Sequence, residues 1–221
     1  IDIILVISTC LVLLPIVTMV MTSLKTFEDV QMNPASLIPK EFTLKNYVTV
    51  FTEFPFTQYL INTLFITITS TVGITLTSAL VAYAFSRFDF KYKGIIFAVM
   101  LSTIMIPGQI LQIPLYEMYR GMGWINTYKP MIIPAFLGGG ITNVFLIRQF
   151  FNSLPKSIFE SAQIDGAGEF RIFATIAVPL SKAIIFTVAI FSFTASWNDF
   201  YSPLLYINDD KKYTLAYGLY I

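Results

Sequence analysis

Five stretches of this chain run for about twenty residues or more with almost no charge, at about residues 3–24, 59–85, 94–118, 128–150 and 183–206. A helix needs about 20 mostly apolar residues to cross the hydrocarbon of a bilayer. The bilayer offers no water to unpaired backbone groups, so segments of this length read as helices. A membrane barrel would instead show blocks of about ten alternating residues, and these runs do not alternate. The composition agrees: 12% of the 221 residues are charged and 56% are hydrophobic, against roughly 25% charge in soluble domains. The expected fold class is therefore an all-α integral membrane protein. Its five transmembrane helices in this chain would form a single transmembrane domain over 1–221.

Several function classes lose support at once. The formal net charge is +1, which gives no field to recruit nucleic acid. There is no histidine, and the one cysteine, Cys10, lies inside an apolar run. The usual general base and metal ligand are therefore missing, no internal disulfide can form, and no metal or cofactor is expected. The first apolar run is too long for a signal-peptide core of about 7–15 residues and has no small-residue cleavage site after it. The chain opens at Ile1 inside an apolar run and stops at LAYGLYI as another begins, and reads as a piece trimmed at both ends.

Within the spans, the second carries Thr67, Thr69, Ser70, Thr71, Gly73, Thr75, Thr77 and Ser78. Small residues allow close helix packing, although a row of hydroxyls can also act as ligands. Pro107 should kink the third span, with Gly108 and Pro114 also interrupting it. Gln109 and Gln112 beside that kink suit either sugar hydroxyls or interhelical hydrogen bonds. Asp199 follows Trp197 and Asn198 inside the fifth span. A carboxylate at a helix centre costs about 2.5–3.5 kcal/mol on insertion, so it faces protein or water. It either lines a path or gate or pairs with a neighbouring helix.

The 25–58 stretch, with Pro34, Pro39 and Pro55, reads as an ordered external cap with an amphipathic piece around LKNYVTVF. With the 86–93 turn (SRFDFKYK) placed inside, the alternating loops carry seven basic residues on each side. Charge counting thus leaves the orientation open.

The 151–182 stretch is the unusual one. Connections between neighbouring helices are usually a few residues long, whereas this one spans about thirty. Ser153 suits an N-cap and Pro155 the first helical turn. The run PKSIFESAQID should form about three turns, with Ile158, Phe159 and Ala162 close together, ending at Gly166. GEFRIFATIAV should form a second helix, with Phe170, Phe173 and Ile176 or Ala177 on one side and Pro179 ending it. This predicts a helix–turn–helix hairpin outside the hydrocarbon, with a small-residue bend and an apolar face that calls for a partner subunit.

ESAQIDGAGEFRIFATIAVP resembles the EAA loop of ABC importer permeases. The pattern is E-x-A, three residues, G, nine residues, then I-x-[LV]-P, met here by Glu160, Ala162, Gly166, Ile176 and Pro179. Ser161 stands where Ala is usual, and Val178 where Leu is. NYVTVF, NTLFIT, AYAFSRFDFKYKG, MIPGQILQIPLY, NTYKPMIIPA and SWNDFYSPLLYINDDKKYTLAYGL are similar, in order, to the carbohydrate-type permeases, including the smaller maltose-transporter permease. The resemblance covers essentially the whole chain. It implies a multi-pass subunit of a bacterial plasma (inner) membrane importer with six spans and a cytoplasmic 151–182 hairpin. The implied partners are a second related permease, two ATPase subunits, an extracytoplasmic solute-binding protein and a carbohydrate substrate. The hairpin would couple to an ATPase subunit through Glu160, Ser161, Ala162, Asp165, Gly166, Ala167 and Gly168, while Gln109, Gln112, Asn198 and Asp199 are candidates for the translocation path or gate. The chain has no G-x-x-x-x-G-K-[ST] to hold ATP itself. The rival expectation is a stand-alone channel or ion-coupled transporter using Asp199.

Overall fold

The computed structural model describes residues 2–221. Among these, every regular element is a helix. Three helical runs are long and apolar enough to cross a membrane: Leu5–Ser23, Phe56–Arg87 and Lys129–Ser153. Two bent pairs raise the number to five if each pair is one span: Lys93–Met105 with Gly108–Gly121, and Glu169–Leu180 with Lys182–Trp197. The chain divides into two compact units, one ending at Thr57 and the other Gln58–Ile221.

In the first unit, α1 (Asp2–Ser23) carries the first apolar run, and short helices α2 (Phe27–Met32) and α3 (Lys45–Thr52) make up the cap. A buried lysine organises the cap. Lys25 is 1% exposed, and its Nζ donates to the carbonyls of Asn33 (3.1 Å) and Ser36 (2.5 Å). Buried Asp29 accepts from Asn33 Nδ2 and from the Lys40 N–H. The amphipathic piece expected around LKNYVTVF is α3, tied to the end of α1 by Asn46 Nδ2 donating to the Ser23 and Lys25 carbonyls.

In the second unit, α4 (Phe56–Arg87) is the central strut. Asn62, Thr63, Ile66, Thr67, Ser70, Gly73 and Ser78 are buried along it at helical spacing. Without a hydrophobic drive between helices in lipid, such small and polar residues hold neighbours by close approach and hydrogen bonds. Ser70 Oγ donates to the Met131 carbonyl (2.9 Å) and Thr77 Oγ1 to the Ala135 carbonyl (3.2 Å). Gly73 lies under the Phe136 ring, where an added Cβ would sit 2.8 Å from the ring.

The third expected span is not a kinked helix but a broken one. After α5 (Lys93–Ser102) and a 3₁₀ turn, the chain bends 99° before α6 (Gly108–Gly121). Pro107 has no N–H to continue the ladder and restricts Ile106 to extended backbone, observed at φ −84°, ψ 113°. The fourth is α7 (Lys129–Ile132), a 3₁₀ turn, a glycine break at 138–140 and α8 (Ile141–Ser153). The fifth, Lys182–Trp197, stops at Trp197 instead of running to residue 206.

Candidate functional site

The 151–182 stretch folds as the expected hairpin. Its first arm is α9 (Lys156–Ile164). Its second is α10 (Glu169–Ile172), continued by a π-helical stretch Phe173–Ala177 and the short α11 (Val178–Leu180). Ser153 is not the cap. It closes α8, with its hydroxyl donating to the Phe150 carbonyl, and Pro155 is the N-cap of α9. A proline there loses nothing, because the first N–H groups of a helix have no intrahelical acceptor. Gly166 ends the arm at φ +79°, the left-handed conformation that favours glycine. Pro179 does not end the second arm. Its ring would crowd the Thr175 carbonyl in a regular helix, and the wider π turn immediately before it relieves that crowding. The arm closes at Ser181, and an 82° bend leads into α12 (Lys182–Trp197).

The apolar face of the hairpin is covered by its own chain, which corrects the expectation that a partner must bury it. Phe159, Ala162, Ile172, Phe173 and Ala177 join Tyr83 and Phe85 of α4 and Val144, Ile147 and Phe151 of α8 in one core cluster. Phe159 is 1% exposed, and the Arg87 guanidinium lies over its ring at 4.0 Å. The Tyr83 hydroxyl donates to Glu169 Oε2 (2.7 Å), and Gln163 Nε2 donates to Glu169 Oε1 (2.7 Å). Phe170 was expected on one side with Phe173; it is 76% exposed while Phe173 is buried, and Ile172 joins Phe173 in facing inward. Of the seven residues expected to couple, Glu160, Ser161, Asp165, Gly166 and Gly168 are exposed, Ala167 is half-buried and Ala162 is buried inward. Ile164 and Phe170 add the apolar part of the outward surface, at 86% and 76% exposed.

The path candidates are spread over two places. Gln109, exposed, and Gln112, half-buried, lie on α6; Gln112 lines a cavity of about 270 Å³ with Ile113, Tyr116 and Leu205. Asn198 and Asp199 fall in the break between α12 and α13 (Tyr201–Tyr206), not inside a helix. Asp199 Oδ1 accepts the Ser202 N–H (3.0 Å), so the carboxylate helps start α13. Asn198 Nδ2 donates to the Thr194 carbonyl at the end of α12. Asp199 lines a cavity of about 230 Å³ whose polar wall includes Thr63, Thr67, Ser70, Ser192, Ser196 and Thr214. The hydroxyls of Ser192 and Thr214 are buried there without a protein partner. Of the hydroxyl row of the second span, Ser70 and Thr77 hold backbone carbonyls, as the packing reading expects, and Thr67 and Ser70 also line this cavity.

Sequence reasoning missed Glu169, Gln163 and Tyr83 as a connected set. It also missed two asparagines that fasten the 207–213 loop. Asn62 Nδ2 donates to the Lys211 and Tyr213 carbonyls (both 2.9 Å), and Asn126 Oδ1 accepts from the N–H groups of Asn208 and Asp209. Asn126 sits at φ +61°, a conformation that asparagine tolerates better than most residues. The backbone N–H of Lys211 holds the Asp209 carboxyl below the usual carboxylate range, with the Lys212 ammonium adding to it.

A chain whose described residues are all-helical, with broken spans and a long hairpin before the last of them, fits a membrane transport component, and the comparisons agree. A family described as binding-protein-dependent transport system inner membrane component matches residues 1–216, and the chain belongs to this family. The arabinooligosaccharides transport system permease protein AraQ of Halalkalibacterium halodurans is 33% identical over 208 residues, which cover 93% of this chain and 74% of the relative. The diacetylchitobiose uptake system permease protein NgcG of Streptomyces coelicolor is 29% identical over 216 residues, covering 97% and 71%. The fold is similar, with a TM-score of 0.88, to the crystal structure of a bacterial ABC transporter involved in the import of the acidic polysaccharide alginate. That likeness carries 22% identity over 98% of this chain and 76% of the other. The chain is thus a permease component of a binding-protein-dependent ABC importer, embedded in the inner membrane.

Proposed function

We propose that this chain is one of two related permeases of an ATP-driven carbohydrate importer, fed by an extracytoplasmic solute-binding protein and powered by two separate ATPase subunits. The relatives named for arabinooligosaccharides and diacetylchitobiose support a carbohydrate substrate. The whole of 1–221 acts as the transmembrane domain, with 25–58 on the outer side and 151–182 in the cytoplasm. The hairpin over 155–179 docks on an ATPase subunit through Glu160, Ser161, Asp165, Gly166, Ala167 and Gly168. Ala162 serves from behind by seating α9 on the chain's own core.

One observation carries this reading. The hairpin spends its inward face on its own chain, yet still presents Ile164 and Phe170 outward on either side of a polar small-residue bend. Exposed apolar side chains flanking an approachable bend are what a docking surface requires. Closure of the ATPase pair moves the docked hairpins and swings the spans between inward-open and outward-open states. Shifting such an equilibrium from 1:99 to 99:1 takes about 5.5 kcal/mol of differential binding. Gln109, Gln112, Asn198 and Asp199 line the path or its gate, and the breaks at Pro107 and at Asn198–Phe200 give those segments room to move. The test is co-purification. Detergent-solubilised protein retains an ATPase subunit, and Gly166→Pro, which cannot adopt φ +79°, loses it. Retention by the Gly166→Pro variant at the unmutated level refutes the docking role.

A further inference from the structure

Three ties close a triangle at the base of the hairpin. Gln163 of the first arm is bonded to Glu169 of the second across the bend (2.7 Å). Glu169 is bonded in turn to Tyr83 of α4 (2.7 Å). The first arm returns to α4 where the Arg87 guanidinium covers the Phe159 ring at 4.0 Å. Tyr83 and Arg87 are four residues apart, so they lie on one face of the last turn of α4. A hairpin held to a span at one point can pivot about it, whereas one held by both arms, with the arms tied to each other, cannot. The two joints on α4 are enclosed, while the Gln163–Glu169 tie lies at the exposed surface. Tyr83 is 5% exposed and Phe159 1%, and the Tyr83 ring makes edge contacts with Phe151 and Phe173 (centroids at 6.0 and 5.2 Å). Hydrogen bonds to an ionised carboxylate are about twice as strong as neutral ones.

We infer that Glu169, Tyr83 and Gln163 are positioning residues that make the hairpin and α4 one rigid lever, so that displacement of the hairpin reaches the span undiminished. This rests on the docking reading above. It adds that transmission, as distinct from docking, runs through the phenol–carboxylate–amide bridge. Tyr83→Phe removes a single oxygen and leaves the ring packing in place. Glu169→Ala removes both bonds, and Glu169→Gln keeps an amide oxygen to accept from the phenol.

The experiment uses the complete transporter in lipid nanodiscs, with Cys10→Ser and a reporter cysteine at exposed Tyr201 in α13. A soluble fluorescent maleimide is the probe, and its labelling rate is read with and without ATP and vanadate. ATPase co-purification and ATP turnover are measured on the same samples. In Tyr83→Phe and Glu169→Ala the ATPase still co-purifies and turns over ATP, while the vanadate-induced change in labelling falls by about fivefold or more, the scale of a lost allosteric coupling. Glu169→Gln restores most of that change, which loss of general stability does not predict. An unchanged labelling response in both Tyr83→Phe and Glu169→Ala overturns the lever. So does loss of the ATPase from these variants alone, because the bridge would then serve docking. Failure of the unmutated chain to retain any ATPase instead sinks the docking reading on which the lever rests.

Discussion

Gly139 and Gly166 share a backbone problem and differ in their surroundings, so a matched pair of alanine substitutions separates two effects usually confounded. Both are left-handed, at φ +68° and +79°. An L-residue in that region costs roughly 1–2 kcal/mol. At Gly166 a Cβ meets nothing within 4 Å, so Gly166→Ala should cost about 1–2 kcal/mol and no more. At Gly139 the same Cβ runs into the Ser78 hydroxyl and the Ile74 carbonyl and lies 2.8 Å from the Ser78 backbone nitrogen. Two of these obstacles belong to the backbone of α4 and cannot rotate away. Overpacking of this kind adds typically 1–3 kcal/mol, so Gly139→Ala should cost about 2–5 kcal/mol in all. The glycine loop at 138–140 would be pushed off α4, with Asn143, which donates to the Gly139 carbonyl (2.8 Å), following it. Equilibrium unfolding in mixed detergent micelles reads the difference directly. Equal losses in the two variants, within about 0.5 kcal/mol, would mean that the close approach of the loop to α4 is not what demands glycine at 139, and the steric explanation fails.

Charge reversal at the bend, Glu160→Lys or Asp165→Lys, leaves membrane insertion intact because both side chains are exposed, and lowers ATP-driven uptake; normal uptake in both variants counts against the docking surface. Phe159→Ala removes a fully buried ring and the cation–π contact with Arg87, and should destabilise by about 3–5 kcal/mol in the same unfolding assay. The 207–213 loop has a pH dependence whose sign is fixed. The Asp209 carboxyl is depressed from its ordinary 3.8, so its tie to Lys211 is present above that value and lost as pH falls through the lower folded value. The Asp209 carboxyl carbon, followed by NMR, should therefore titrate below 3.8, and Lys212→Ala should move its midpoint upward; an unmoved midpoint refutes the assigned cause.

Much of the architecture was legible because its signals are local. Apolar length located the helical runs, and Gly166 with its neighbours located the bend, since glycine takes φ +79° with the least strain. What escaped depends on contacts between distant residues or on competition between local rules. Tyr83 and Glu169 are 86 positions apart, and nothing in either neighbourhood announces the other. The hairpin's apolar face was legible as a face, but not the identity of its cover, because α4 and α8 offer no sequence mark of where they end in space. Asp199 looked embedded in an apolar run. The pairing of its carboxylate with the Ser202 N–H, which ends one helix and starts another, competes with continuation of the span and wins. At Pro107 the residue types forecast a bend, but its 99° extent comes from the extended backbone of Ile106 and Pro107 together.

The π-helical stretch Phe173–Ala177 takes up a surplus residue without disturbing the turns on either side. A π turn accommodates one more residue than an α turn over the same span of axis. Deleting one residue there would let the arm close as ordinary α-helix with its flanks nearly in phase, whereas deleting one from the α-helical turn before it would rotate everything upstream by about 100° about the axis. The surplus residue thus works as a slack link, which admits Pro179 to the arm while Phe170 keeps its outward bearing.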